Sequence, residues 1–395
     1  MDNLQFDRGN PQEDGPKRLA PRDWRKPMKW AGIAVCALAV IVLILAIMDT
    51  AVFDNIRRFT THLMTQKDEN GCVQLYDYSA EKDRSYALLD HNLILASQRR
   101  IMMLGEDGSH IYNVDVKFRK AAIVTGGQWA AVYDIGGREI HLLNSKGLIR
   151  VVKAEGDILA CSINEKGYLA VTTSKSGYKA AVSVYNDKGE MTFQFSSSDR
   201  FLMTSVVSRK GNQMASVTMG EKKGSFASSV VLYDMSSPDP LSSQELSGGA
   251  VFDMGLVGEN YCAVAEDALH FIDHSGAQAG SFEFEGSYLR RASLDGDGYA
   301  AMVLGRYRSG ARARLVTVDE NGEVIGQIRI DDEVLSISAS GKYVAVLYSD
   351  YLTIYDKKLR ALASLDDVSA AKSVLMRPDG SAVLVGAEGA SLYLP

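Results

Sequence analysis

The chain has 395 residues, 46% of them hydrophobic and 23% charged, a balance that excludes a disordered polymer and a polytopic membrane protein. Its 43 Lys and Arg against 49 Asp and Glu give a net charge of -6. A general nucleic-acid binder carries a basic excess, so no nucleic-acid partner is expected.

Residues 1–29 are polar and hold four of the eight prolines (Pro11, Pro16, Pro21, Pro27), the composition of a short disordered tail. Trp30 to Met48 then runs 19 residues without a charge. As a helix rising about 1.5 Å per residue, that run covers roughly 28 Å, close to the hydrocarbon core of a bilayer. A transmembrane helix is therefore expected over 30–48. Six basic residues from Lys17 to Lys29 face a single Asp23, whereas the 20 residues after the helix hold only Arg57, Arg58 and Lys67. This asymmetry keeps the N-terminus in the cytoplasm. The apolar run exceeds that of a cleaved signal peptide and no small-x-small site follows it, which makes it an uncleaved signal anchor with the rest of the chain extracytoplasmic. Val52, Ile56, Phe59 and Leu63 form the stripe of an amphipathic helix, a stalk or linker over 49–71.

From about residue 72 the period of the pattern changes to two, and the chain repeats itself. A turn with Gly or Asn leads into NLILA at Asn92, WAAVY at Trp129, YLAVT at Tyr168 and QMASV at Gln213. The pattern returns as YCAVA at Tyr261, YAAMV at Tyr299, YVAVL at Tyr343 and SAVLV at Ser381, with starts 37, 39, 45, 48, 38, 44 and 38 residues apart. Such spacing fits one four-stranded blade per repeat, an all-β, eight-bladed β-propeller over 72–395; seven blades would follow if one copy were not a blade. Alanines recur in six copies (Ala131, Ala170, Ala215, Ala263, Ala301, Ala345), as expected where inner strands converge on an axis. A second motif tracks the first: IHLLNSKG, VSVYNDKG, LHFIDHSG and LVTVDENG, with LTIYDKKL and VVLYDMSS as degenerate copies. Asp or Asn before Gly supplies hairpin-turn geometry, here between third and fourth strands. The last repeat stops at its third strand, SLYLP, while 72–79 (CVQLYDYS) is an unassigned strand. It is expected to complete the last blade and remove the open edges.

One anchor followed by Gly- and Tyr-marked blades resembles an uncharacterised family of single-pass membrane-anchored propeller proteins of Gram-positive anaerobes. More distantly, the chain is similar to WD-repeat and quinoprotein-type propellers. Only Trp24, Trp30 and Trp129 occur, so neither the Trp-Asp signature nor the Trp docking ring of those relatives is present, and no cofactor is expected.

Motifs of metal and catalytic chemistry are weak. His270 and His274 flank Asp273 on a strand entering a turn, where i and i+4 do not share a face. Asp295-Gly-Asp-Gly298 lacks the later acidic residue and Gly of a calcium loop. There is no GxSxG, phosphate loop or metal-spaced Cys pair. Cys161 and Cys262 fall in separate blades and are expected as reduced, buried thiols, leaving Cys72 available for an interchain disulfide.

Two functions fit these features. The first is a non-enzymatic docking module for an envelope protein or an anionic wall polymer; the second is an extracytoplasmic glycan-active enzyme with carboxylates in the channel. Loops between second and third strands share one face with the links between blades, and those loops are net basic while the opposite turns are net acidic. Blade six concentrates the positive charge: Arg306, Arg308, Arg312 and Arg314 in RYRSGARAR, with Arg290 and Arg291 at the start of a strand on the same face. Guanidinium groups bind phosphate or carboxylate through paired hydrogen bonds, so these six are the candidate binding residues.

Overall fold

Alternating apolar and polar residues, broken every five to seven positions by Gly, Asn or Asp, direct the chain into short antiparallel strands. The computed structural model describes residues 72–78, 84–222, 224–247, 249–306 and 312–395. In it, eight four-stranded sheets follow one another along the chain. Blades 1 to 7 span residues 85–115, 121–153, 158–197, 201–245, 251–283, 288–330 and 334–366. Blade 8 takes its first three strands from 371–393 and its outermost from Cys72–Asp77. That N-terminal strand pairs antiparallel with Gly389–Tyr393, Cys72 opposite Tyr393 and Asp77 opposite Gly389. The expected closure is therefore observed. Cys72 lies at the turn face, where third strands end.

The tail, apolar run and stalk over 1–71 lie outside the described residues, as do Arg308 and residue 79. Among the described residues no helix is long and apolar enough to cross a membrane.

First strands of successive blades lie side by side from blade 1 round to blade 8, so they form the inner ring. Serines tie them together. Ser162 Oγ donates to the Ser205 carbonyl at 2.6 Å, and Ser85 Oγ to the Ala121 carbonyl at 2.9 Å. Ser293, Ser336 and Ser338 accept from the backbone N–H of Ala339, Val374 and Met376 in the following blades. These bonds replace the backbone ladder that diverging strands cannot make.

The core is divided among the seams between blades, one buried apolar cluster to each. The repeated motif is the second strand, not the innermost. Its first residue crosses the seam to the next blade. Asn92 donates to the Ser145 carbonyl, Gln213 to the His274 carbonyl and Asn260 to the Glu320 carbonyl, at 2.9 to 3.1 Å. Trp129, Tyr168 and Tyr343 instead lay their rings against Gly167, Gly211 and Gly380, each with positive φ, where a Cβ would meet the ring at 2.7, 2.7 and 3.2 Å. The fifth blade corrects the sequence alignment by one residue. Its two-residue turn pairs Val257 with Asn260, so the opening residue is Asn260 rather than Tyr261, and Cys262 takes the small seam position expected at Ala263.

The third-to-fourth-strand turns are as the motif predicts. Asp273 Oδ1 accepts from the N–H groups of Ser275 and Ala277, and Asp319 Oδ1 from those of Asn321 and Glu323. Gly147, Gly189, Gly276 and Gly322 all have positive φ. In the degenerate copy the glycine position is held by Leu359, at φ 59° and buried.

Candidate functional site

First strands begin on the face that carries the second-to-third-strand loops and the links between blades. Six of the eight begin with the same irregularity. In blades 3 to 8 one residue near the strand start has no partner on the second strand: Leu159, Met203, Phe252, Arg290, Leu335 and Lys372. Blades 1 and 2 pair without such a break. A bulge bends the strand and re-aims the extra side chain. Here the bulge recurs in six blades and its extra side chain is exposed in four of them, Leu159, Met203, Phe252 and Lys372, whereas Arg290 is half-buried and Leu335 packs against the seam cluster of blades 7 and 8.

The bulge row changes chemistry as it goes round. Leu159, Met203 and Phe252 are exposed, Phe252 by 65%. Phe201, in the strand of Met203, Tyr288, in the first strand of blade 6 with Arg290, and Tyr178, in the loop of blade 3, are exposed as well. Cations border these rings: Lys179 Nζ lies 5.0 Å from the Phe201 centroid, and Lys175 Nζ lies 5.1 Å from that of Tyr178. Further round come Arg290, whose guanidinium lies over Gly305 where no Cβ would fit, and exposed Lys372. Blades 1, 2, 7 and 8 present no exposed large apolar side chain among the described residues of their first strands. The mouth is thus apolar on one side and polar on the other.

Five of the six predicted arginines are described and lie at this face, with different surroundings. Arg314 donates to the Phe284 carbonyl at 3.0 Å and pairs with Glu285 at 3.4 Å. Arg291 donates to the Leu335 carbonyl at 3.1 Å and to the Arg290 carbonyl at 2.8 Å. Arg306 and Arg312 are exposed, Arg312 with φ 79°, and Arg308 lies outside the described residues. The face as a whole is not uniformly basic, because the interblade links add their own charge. Lys117, Arg119 and Lys120 sit between blades 1 and 2, whereas Asp331, Asp332 and Glu333 sit between blades 6 and 7.

Asp253, next to the Phe252 bulge, was not singled out by the sequence, and Asp295, on the first strand of blade 6, only as part of an incomplete calcium-loop pattern. Both remain open to solvent. Desolvation by the surrounding strands nevertheless raises both carboxyl pKa values, and the Asp253 charge raises that of Asp295 further.

The other candidates separate. His270 is buried and its Nε2–H donates to the Ser247 carbonyl at 2.8 Å, while His274, in the turn, faces Gln213 Oε1 at 3.1 Å. Cys161 and Cys262 are buried thiols, not joined to each other, whose pKa values burial drives upward. Cys72 is half-buried against the seam of blades 7 and 8. Among the described residues no group of three or more His, Cys, Asp or Glu is arranged to hold a metal.

Residues 65–366 match the family of unknown function DUF5711. The chain belongs to that family. No curated protein matches it in sequence. Among solved structures, the DUF5711 fold is similar to the C-terminal WD40 domain of Sif2, at 13% identity and TM-score 0.59 over 82% of this chain and 98% of that one. The computationally designed Ika8 protein aligns at 12% identity and TM-score 0.56, covering 81% and 99%. BamB from Moraxella catarrhalis aligns at 13% identity and TM-score 0.51, covering 81% and 98%. At these identities the likeness is one of fold, and the function of this DUF5711 member has to be argued from its own mouth.

Proposed function

We propose that this DUF5711 protein is a non-enzymatic docking module, held by one membrane span over 30–48 with its propeller outside the cytoplasm, that binds an envelope protein or an anionic wall polymer. The observation that carries the docking role is the bulge row. A distortion repeated in six blades holds Leu159, Met203 and Phe252 out in solvent, where exposure of apolar side chains brings no stability. Exposed apolar patches on folded chains mark surfaces that bind. The exposed Arg306 and Arg312 add positive charge to the same side. The span and orientation rest on the uncharged 19-residue run and the basic residues before it.

Two experiments test this reading. Protease added to intact, wall-stripped cells should remove the propeller and spare residues 1–29; an undigested propeller refutes the orientation. A photo-crosslinking residue in place of Phe252 should yield a covalent adduct in cells. One in place of Leu362, exposed on an outermost strand, should not. Equal labelling at the two positions refutes docking at the mouth.

The second reading, a glycan-active enzyme, is favoured by Asp253 and Asp295 alone. Two neighbouring carboxyl groups, with pKa values raised by desolvation, are the kind of pair that acid-base cleavage of a glycosidic bond uses. Wall glycan that is cleaved by the parent chain and not by Asp253→Asn would establish it.

A further inference from the structure

The docking reading leaves the chemistry of the partner open, and the order of side chains around the bulge row narrows it. We infer that the mouth recognises an extended acidic peptide segment of a partner protein, its apolar side chains on Leu159, Met203 and Phe252 and its carboxylates toward Arg290 and Lys372. This rests on the docking reading above.

Three observations carry it. First, the bulges fall near the starts of the first strands of blades 3 to 8, with Leu335 of blade 7 turned onto its seam, so the exposed side chains form a row rather than a pit. A row suits a chain that lies across it, whereas a compact ligand needs a concave, enclosing site. Second, the apolar half carries aromatic rings, Phe201, Phe252, Tyr178 and Tyr288, the residue types that supply most of the binding energy at protein interfaces. A highly charged polymer would gain little from them. Third, positive charge is placed at the edge of the apolar half and beyond it: Lys175 and Lys179 beside the rings, then Arg290 and Lys372. Carboxylates flanking apolar side chains are complementary to that sequence of groups. A basic segment would meet the same cations and be repelled.

Asp253, next to Phe252, and Asp295, on the first strand of blade 6, are the carboxyls nearest this row in the chain, and desolvation raises the pKa of both. The acidic link Asp331, Asp332 and Glu333 leads into blade 7, between the blades of Arg290 and Lys372, but Asp331 is paired to Arg329 at 3.0 Å and Asp332 accepts from the Tyr351 hydroxyl at 2.6 Å.

The test uses the full chain in detergent and an array of short synthetic peptides matched in apolar content but carrying Asp and Glu, Lys, or only Ser between the apolar residues. The acidic set should bind. Phe252→Ser, at a position too exposed to disturb the core, should weaken that binding by about tenfold or more, the effect of truncating an interface anchor. Lys372→Glu should weaken it most at low salt, and Leu362→Ser should bind as the parent does. Equal binding of the Lys set, or acidic binding that Phe252→Ser leaves unchanged, overturns the inference. So does a chain that is dimeric in solution and monomeric as Phe252→Asp, because the occupant is then a second copy. If no peptide set binds while the Phe252 crosslink still traps a partner, docking stands and the acidic-peptide inference falls.

Discussion

The hydroxyl of Tyr299 donates to the carbonyl of Tyr343 across the seam of blades 6 and 7, 2.7 Å away and fully buried. Each residue opens the second strand of its blade, and Tyr343 in turn packs on Gly380 of blade 8. One sequence position therefore fastens blade to blade around the ring. Burial drives the Tyr299 phenol well above its ordinary pKa, which keeps it protonated and able to donate. Tyr299→Phe should cost about 1 to 2 kcal/mol in urea unfolding, since the Tyr343 carbonyl loses its partner inside the seam. An unchanged midpoint would mean that the ring contact alone holds that seam.

At the seam between the last and first blades the fastening is different. Arg377, 1% exposed, donates to the His91 carbonyl at 2.9 Å and approaches Glu106 at 3.6 Å. Arg377→Met fills the same space without the charge. A loss of about 2 to 3 kcal/mol is expected, the usual range for a hydrogen bond to a charged group. A smaller loss than that of Tyr299→Phe would show that closure does not depend on this residue.

Deleting 72–78 removes Tyr76 and Tyr78 from the cluster joining blades 8 and 1 and uncovers the edge of Gly389–Tyr393. Thermal unfolding should shift down sharply, with aggregation from the open edge. The point variant Tyr76→Ala should cost about 3 to 5 kcal/mol. A deletion variant that melts with the parent would refute the closure.

Leu359 gives a reversed ranking. At φ 59° a side chain is strained by about 1 to 2 kcal/mol, yet this one is buried in the seam of blades 6 and 7. Leu359→Ala loses the burial and keeps the strain, whereas Leu359→Gly loses both. The Gly variant should therefore be the more stable of the two, opposite to the usual order, and chemical denaturation of the pair decides it.

Asp253 and Asp295 have folded-state pKa values raised above those of the unfolded chain. The folded protein then binds more protons than the unfolded one, so stability falls as pH rises through the interval between the two values. The double variant Asp253→Asn, Asp295→Asn should melt higher than the parent at neutral pH, and the advantage should vanish below about pH 4, where both carboxyls of the parent are protonated in either state. An advantage that persists in acid would point to packing instead.

Strand count, the turn motif and the closing strand were legible because each depends on residues close together in the chain: period-two alternation, Asp or Asn before Gly, and a last repeat one strand short. The bulge row was not. Whether Met203 is skipped depends on Leu202 pairing with Thr218 and Thr204 with Val217, a relation between strands that the pattern of one strand does not fix. Its trace, an apolar residue followed by another large one where a small or polar residue is due, is visible at Leu202-Met203 and Val251-Phe252 only once the register is known. The one-residue slip in the fifth repeat has the same origin: Tyr261 resembles the other opening aromatics, but turn length sets the register, and it makes Asn260 the equivalent. Charge was legible only in part, because the links between blades share the face of the loops and carry charge of both signs, as Lys117, Arg119 and Lys120 and Asp331, Asp332 and Glu333 do.

Tyr78 donates to the carbonyls of Gly386 and Gly389, 308 and 311 positions later. As the chain leaves the ribosome, the strand Cys72–Asp77 must wait for the hairpin of Ala382–Gly386 and Gly389–Tyr393 before it has a mate. Blades between them can each form from local contacts, but the circle stays open until that hairpin has emerged. A message truncated within the last hairpin would thus yield seven sound blades and two sticky borders. Quality control would meet a product that betrays its incompleteness at both ends at once.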